Sequence, residues 1–167
     1  MQADKVIGEY AIGGAVGASI YVEVAETEDV DVFAPLAATA DNLLIDLTPI
    51  YQYARARGWG ETGPYIVIAG WKVQFLPPDG PLVEEAIEKA VVHDLDGMPM
   101  RIFTPEYLVA IALKVGRPKD KLRALQFLET SSRPDAKFKL DDAALSAILE
   151  RHHLMDRWAK FRKQMSG

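Results

Sequence analysis

The chain has 167 residues, of which 49% are hydrophobic and 26% are charged, and its formal net charge is −5. This length and composition predict one compact domain, or one domain with a helical appendage. The chain contains no cysteine, so disulfide scaffolds, thiolate zinc sites and cysteine nucleophiles are excluded. The N-terminus lacks the basic and apolar regions of a signal peptide, and no segment is apolar over the ~18 residues of a membrane span. We therefore expect a cytoplasmic protein with no membrane partner.

The charges are divided unevenly along the chain. Residues 1–100 contain five Lys and Arg against sixteen Asp and Glu, whereas residues 101–167 contain fourteen against eight. An acidic segment suits divalent cations and a basic segment suits phosphates, so the two together indicate a nucleotide or nucleic-acid partner. Solvated basic helices would give the same counts, because clustering in sequence is not clustering in space.

The chain begins with a strand, a glycine turn, a helix and a second strand. Residues 9–12 are predicted to form a short strand that ends at Gly13 and Gly14, and residues 15–26 the helix that follows. Residues 27–33 alternate with period two, which predicts a strand with one polar and one apolar face.

The rest of the chain changes from strands to helices. A helix is predicted over residues 41–57, and residues 65–69 and 71–76 form either a tight hairpin or one bulged strand. Apart from a brief strand over residues 100–103, the later segments have helical periodicity: residues 82–92, the segment opened by Thr104-Pro105-Glu106, residues 119–130, residues 141–152 and a last helix with Leu154, Trp158 and Phe161.

This order predicts an α/β (α+β) fold with a small mixed sheet and a helical C-terminal region. We expect a core over residues 1–100 and a basic helical region over residues 101–167 that packs on it.

Asp29 and Asp31 are the candidates for the chemical centre. Residues i and i+2 of a strand point to one face, so the two carboxylates lie side by side, while Val30, Val32 and Phe33 are expected to face the core. Such a pair repels unless a cation lies between the carboxylates, and Mg²⁺ is held by one or two carboxylates together with substrate phosphates. The alternative is a solvated acidic strand end.

Gly13 and Gly14 lie between the first strand and the first helix. A glycine pair there lets a phosphate approach main-chain N–H groups and the positive end of the helix dipole. The segment is not a Walker motif, and Ile12 occupies the first position of the dinucleotide-binding pattern. The alternative is a turn that only lets the helix and strand pack closely.

Together, the strand, the Gly13-Gly14 turn, the helix and the Asp29-x-Asp31 strand resemble the core pattern of the nucleotidyltransferase superfamily. That superfamily includes polymerase-beta-like enzymes, antibiotic adenylyltransferases and AbiEii-type toxins. The resemblance implies that Gly13 and Gly14 bind a nucleoside triphosphate and that Asp29 and Asp31 are catalytic ligands of Mg²⁺ or Mn²⁺. Thr27, before the acid pair, is also typical of the family and joins the nucleotide-binding candidates.

Residues 104–120 look like the AbiEii-type pattern, in which a helical lysine is followed by a Lys-Asp pair. This resemblance makes Lys114 and Asp120 catalytic candidates and makes Lys114, Arg117 and Lys119 contacts of phosphate or RNA. It implies transfer of a nucleoside monophosphate to an acceptor hydroxyl, with tRNA or another RNA as the acceptor and a cognate antitoxin as a partner. The alternative for these residues is a helix-capping ion pair at a turn.

Gln74 departs from the family pattern, which commonly places a third carboxylate on a later core strand. Glutamine is neither a base nor a strong metal ligand. Two alternatives to the transferase therefore stay open. One is a nucleotide-binding or interaction module that kept the fold without catalysis, and the other is an adenylyltransferase of small molecules such as antibiotics.

Overall fold

The computed structural model describes residues 1–24, 27–36 and 46–165. Within these ranges the chain forms a mixed α/β fold with seven strands and seven helices. The strands are β1 (Ala11–Ile12), β2 (Asp29–Phe33), β3 (Gly60–Thr62), β4 (Tyr65–Ile68), β5 (Trp71–Leu76), β6 (Val91–Leu95) and β7 (Met98–Ile102). The helices are α1 (Gly14–Ser19), α2 (Thr48–Ala56), α3 (Pro81–Glu88), α4 (Pro105–Val115), α5 (Pro118–Ser132), α6 (Asp142–Arg151) and α7 (Met155–Met165).

All seven strands belong to one mixed sheet in the order β3-β4-β5-β2-β1-β7-β6. The central strand, β2, pairs in parallel with β5 on one side and antiparallel with β1 on the other. β1 also pairs in parallel with β7. The predicted mixed sheet is thus confirmed, and it places the acidic strand at its centre.

The helical region packs through α4. Six of the eleven residues of α4 are buried, and they join one apolar cluster with residues of α1, α3, α5, α6 and α7. α4 begins after Thr104 with a proline in its first turn and ends at Gly116, whose φ of 73° is left-handed, as a glycine after a helix allows. Thr104 is at the N-cap position, but its hydroxyl donates to the Glu106 carboxylate, 2.8 Å away. No helix in the described parts of the chain is long and apolar enough to cross a membrane.

The hairpin alternative for residues 65–76 is correct. β4 and β5 pair antiparallel around Ala69 and Gly70, whose φ values are 51° and 86°. Positive φ at both central residues is the geometry of a type I′ turn, which suits the twist of the flanking strands.

Several predicted boundaries differ from the structure. α1 ends at Ser19 rather than continuing through residue 24, because β-branched Val22 and Val24 favour helix weakly. The helix predicted for residues 82–92 ends at Glu88, because Val91 begins the edge strand β6, which was not predicted.

The remaining predicted boundaries concern the second helix, the end of the first helix and the division at residue 100. The helix predicted over residues 41–57 has Pro49 in its first turn as observed, since α2 begins at Thr48, and the missing N–H of proline costs nothing there. Residues 41–45 of that predicted helix and residues 25–26 of the first lie outside the described residues. The predicted division at residue 100 falls within β7.

Candidate active site

A cavity of about 560 Å³ opens between the sheet and helices α4 and α5. Its floor comes from β2 and β5 and its opposite wall from the two helices. The residues from α4 are apolar, whereas β2, β5 and α5 contribute both polar or charged and apolar groups. The lining residues are Gly14, Ala15, Val24, Thr27, Asp29, Asp31, Phe33, Tyr65, Gln74, Leu76, Phe103, Leu108, Ile111, Ala112, Val115, Arg117, Lys119, Asp120, Leu122, Arg123 and Gln126.

Asp29 and Asp31 both line this cavity from β2, so the structure places the predicted pair on one face of one strand. Phe33 shares that face, because it lies two residues beyond Asp31. Phe33 packs against the apolar core as expected, but from the same strand face as the acids rather than from the opposite one. Its ring packs on Phe103 with 5.1 Å between centroids and forms the apolar border of the acidic floor.

The Gly13-Gly14 turn touches the acid pair directly. The N–H of Gly13 donates to the main-chain oxygen of Asp31 over 3.1 Å. Gly14 has a φ of +59°, and a Cβ at this position would lie 2.1 Å from Oδ2 of Asp31. A side chain at Gly14 would force that carboxylate to shift and would strain the left-handed backbone, so glycine is favoured here on both grounds. α1 is only six residues long, so a strong helix dipole is not part of this site.

Burial and repulsion act on Asp31. Desolvation and the neighbouring Asp29 raise the pKa of Asp31 above its ordinary value, and Arg123, Lys119 and Arg117 oppose this rise. Thr27 is a support for the other acid, because its hydroxyl donates to Oδ1 of Asp29 over 2.9 Å. The carboxylate of Asp29 is thus held by a hydrogen bond, whereas the charge of the Asp31 carboxylate is poorly compensated.

Cationic side chains line the wall opposite the acids. Arg117, Lys119 and Arg123 all belong to the start of α5 and line the cavity. Arg117 and Lys119 were predicted to be here, whereas Arg123 was not singled out. Arg123 could have been predicted from Lys119, because positions i and i+4 share one helix face.

Asp120 lies in the same wall, but it binds arginines rather than the acid pair. Arg117 donates to its carboxylate from Nε over 2.7 Å and from Nη2 over 3.3 Å. Arg123 lies 3.9 Å from the same carboxylate. Within the described ranges, no group of three or more His, Cys, Asp or Glu residues is placed to hold a metal ion. Asp120 therefore faces arginines rather than the acid pair, in agreement with the alternative of an ion pair at a turn.

Lys114 lies away from this cavity, so its predicted contact with phosphate there is not supported by its position. Its ammonium group donates to the main-chain oxygen of Asp79 over 3.0 Å and pairs with the Asp79 carboxylate, also at 3.0 Å. The α4 residues that line the cavity are spaced i, i+3, i+4 and i+7 from Leu108. Lys114 is at i+6, which is a different face of the helix.

Gln74 occupies the position beside Asp31 on the adjacent strand. The two residues are paired in the parallel register of β2 and β5, and both line the cavity. The site therefore presents two carboxylates and a neutral amide. Two carboxylates with substrate phosphate oxygens are a suitable oxygen donor set for Mg²⁺ or Mn²⁺, and a cation there would offset the repulsion that raises the pKa of Asp31.

Comparisons with known proteins give only distant likenesses. No family model and no curated protein matches the chain. An antigenic nucleotidyltransferase-like protein from Paracoccidioides brasiliensis is 15% identical over 93% of this chain and 86% of that one, with a TM-score of 0.48. The solution structure of the antibiotic-resistance factor ANT(2″)-Ia is 12% identical over 99% and 91%, with a TM-score of 0.49.

The crystal structure of ANT(2″)-Ia in complex with adenylyl-2″-tobramycin is 13% identical over 98% of this chain and 92% of that one, with a TM-score of 0.40. At such identities and TM-scores the likeness carries no argument about activity. Function is therefore argued from the residues of the cavity.

Proposed function

We propose that the protein is a nucleotidyltransferase that transfers a nucleoside monophosphate from a nucleoside triphosphate to an acceptor hydroxyl. The observation that carries this proposal is the contact between Gly14 and Asp31. A backbone turn in the left-handed region that glycine favours lies directly against a poorly compensated carboxylate. Cationic side chains face both from the opposite wall. An acid pair that holds a metal ion and cationic side chains that face it are suited to a metal-bound triphosphate.

In the proposed reaction, the oxygen of the acceptor hydroxyl attacks the α-phosphorus of the triphosphate. A new phosphorus–oxygen bond forms while the bond between the α-phosphorus and the oxygen that bridges to the β-phosphorus breaks. Pyrophosphate leaves, and the hydroxyl proton passes to solvent. The glycine turn holds its backbone against Asp31, and Arg117, Lys119 and Arg123 stabilise the charge that moves toward pyrophosphate.

Asp29 and Asp31 are the residues that would hold Mg²⁺ or Mn²⁺ together with phosphate oxygens. When bound, such an ion neutralises phosphate charge and makes the attacking hydroxyl more acidic. The support for this assignment is the shared strand face of the two acids and the raised pKa of Asp31. Thr27 fixes the orientation of Asp29, so the first ligand is restrained before a cation arrives.

The proposal extends to an anionic acceptor, namely tRNA or another RNA, as in an AbiEii-type toxin with a cognate antitoxin. The carboxylates among the cavity's described lining residues are Asp29, Asp31 and Asp120, and the last is paired with arginines. This arrangement leaves no carboxylate free to bind a polycationic drug once the acid pair holds a metal. Exposed Lys119 and Lys121 at the start of α5 suit a phosphate backbone.

One observation favours a second candidate function, which is nucleotide binding without catalysis. Gln74 lies beside Asp31 where the family pattern commonly has a carboxylate, and an amide does not accept a proton from the attacking hydroxyl. In this alternative the cavity binds the triphosphate and releases it unchanged.

A labelling experiment separates these candidates. The protein is incubated with each α-labelled triphosphate, Mg²⁺ or Mn²⁺, and either total RNA or a panel of aminoglycosides. We expect metal-dependent label in RNA together with release of pyrophosphate, and loss of both in Asp31→Asn. Asp135→Asn, which removes an exposed carboxylate outside the cavity, is the matched control. Binding of triphosphate without transfer to any acceptor would favour the non-catalytic candidate. Labelled aminoglycosides would show that the acceptor is a small molecule rather than RNA.

A further inference from the structure

Asp120 is unusual among the charged residues of the chain. Of the residues that the structure describes, it is the only charged one that is buried, with 3% of its surface exposed. It lies in the first turn of α5, two residues after Pro118. A buried charge is costly unless it is paired and hydrogen bonded, so its partners indicate why a carboxylate is kept there.

The partners of Asp120 are the two arginines of the cavity wall. Arg117 approaches sideways and donates from Nε and Nη2 to the two carboxylate oxygens, while Arg123 lies 3.9 Å from Oδ1. The side chain of Asp120 is 4% exposed, that of Arg123 is 18% exposed and that of Arg117 is 59% exposed. Asp120 is therefore buried, whereas its partner Arg117 is exposed and lines the cavity.

The geometry of Arg117 leaves donors free for a ligand. A guanidinium group has five N–H donors in a fixed plane, and a sideways pair with a carboxylate uses two of them. The remaining donors belong to the outer edge of the group, away from Asp120. Because the carboxylate holds the inner edge, the guanidinium loses little further freedom when its outer edge binds an anion.

We infer that Asp120 is a positioning residue that holds Arg117 and Arg123 at the cavity wall for the phosphate groups of the triphosphate. The inference rests on the proposed function. It assigns Asp120 a role different from that of an acid, a base or a metal ligand, because its oxygens face guanidinium groups. It also makes Arg123 part of the phosphate site.

Simple electrostatics and positioning predict opposite results for Asp120→Asn. Removing a negative charge from the cavity wall would by itself strengthen the binding of a polyanion. If the carboxylate positions the arginines, its loss instead weakens that binding, although the net charge has become more favourable. Glu129→Gln is the matched control, because it removes an exposed carboxylate from the same helix outside the cavity.

The experiment measures the binding of magnesium tripolyphosphate to the full chain by titration calorimetry. We expect Asp120→Asn to weaken binding by about tenfold, the order expected when an arginine loses a preorganising partner, and Glu129→Gln to leave it unchanged. Equal or tighter binding by Asp120→Asn would overturn the inference. If the unmodified protein does not bind tripolyphosphate, the proposed function fails and the inference falls with it, whereas binding by both proteins with equal affinity removes only the role of Asp120.

Arg117→Lys gives a second test that does not depend on the buried residue and serves if Asp120→Asn does not fold. The change keeps the positive charge at a largely exposed position but loses the planar pair with Asp120. We expect binding of magnesium tripolyphosphate to weaken several-fold at a temperature where both proteins are folded, and the melting temperature to fall because buried Asp120 loses part of its hydrogen bonding. Undiminished binding would show that charge alone is needed at this position and would contradict the inference.

Discussion

Asp31 and Gln74 lie side by side on β2 and β5, which pair in parallel at the centre of the sheet. Both line the cavity, so a carboxylate at position 74 would join the acid pair. Gln74→Glu should make the metal-free protein less stable, by roughly 1 kcal/mol, because a third like charge is added beside two others. In the proposed enzyme the same change should raise the affinity for Mn²⁺ and the rate of transfer to RNA.

The measurements are the melting temperature with and without Mn²⁺ and the transfer rate of the variant. Gln126→Glu, which adds a carboxylate to the cavity from α5 rather than from the strand beside Asp31, controls for added charge alone. If Gln74→Glu loses stability but gains neither Mn²⁺ affinity nor activity, the acid pair is not a metal site.

Gly14 provides a test of the contact that carries the proposed function. Gly14→Ala should destabilise the protein by roughly 1–2 kcal/mol from the left-handed backbone alone, and further because the new Cβ would overlap Oδ2 of Asp31. Gly63→Ala is a close control, because Gly63 has a φ of +57° and nothing within 4 Å of the added carbon. We expect both variants to lose stability in urea unfolding, but only Gly14→Ala to lose metal-dependent triphosphate binding. Equal binding by the two variants would show that the turn does not serve the site.

Lys114 and Lys119 were both predicted to contact phosphate, and the structure separates them. Lys114→Ala should leave triphosphate and RNA binding unchanged, because its ammonium group is held by Asp79. The loss of the Lys114–Asp79 ion pair should lower the free energy of unfolding by at most about 1 kcal/mol, the range of a partly exposed ion pair. Lys119→Ala should weaken RNA binding and reduce the slope of log affinity against log salt by about one, the effect of one lost phosphate contact.

Binding curves at several salt concentrations, with melting temperatures for both variants, check this prediction. If Lys114→Ala loses as much binding as Lys119→Ala does, the prediction that Lys114 contacts phosphate is supported.

The acidic strand could be predicted from sequence because its pattern is local. Period-two alternation requires no knowledge of the rest of the chain, and it places Asp29 and Asp31 on one face. The glycine turn is equally local, since Gly13 and Gly14 directly follow a strand. That Gly14 contacts Asp31 follows only from the pairing of β1 with β2, which is a tertiary fact.

The helical wall could not be predicted in the same way. Whether Lys114 faces the cavity depends on the rotation of α4 against the sheet, and its apolar residues cover so much of its surface that the buried face is ambiguous in the sequence. For Asp120 the sequence left two alternatives, an acid of the site and an ion pair at the turn, and only the structure shows that Arg117 donates to its carboxylate. β6 was missed because its residues extend an apolar helical pattern, and only pairing with β7 makes them a strand.

Asp31→Asn should change the stability of the metal-free protein and its triphosphate binding in opposite directions. Because burial and Asp29 raise the pKa of Asp31 above its ordinary value of 3.8, the folded chain disfavours the charged carboxylate. The folded state then binds the proton more tightly than the unfolded state does. The free energy of unfolding therefore falls as the pH rises from about 3.8 through the raised pKa of Asp31.

Asp31→Asn removes this pH-dependent fall in the free energy of unfolding. Above the raised pKa of Asp31, the metal-free variant should be as stable as the unmodified protein or more stable, while metal-dependent triphosphate binding weakens by roughly tenfold or more as a charged ligand is lost. Urea unfolding between pH 4 and pH 7, without metal, measures the first effect, and titration with a magnesium triphosphate measures the second. The stability difference between the two proteins should grow with pH and then level off, and Mg²⁺ with triphosphate should reverse it by stabilising only the unmodified protein. If Asp31→Asn instead lowers the metal-free stability by ~1–3 kcal/mol, as expected for a carboxylate that accepts buried hydrogen bonds, and leaves triphosphate binding intact, then Asp31 is a structural residue and the proposed metal site is wrong.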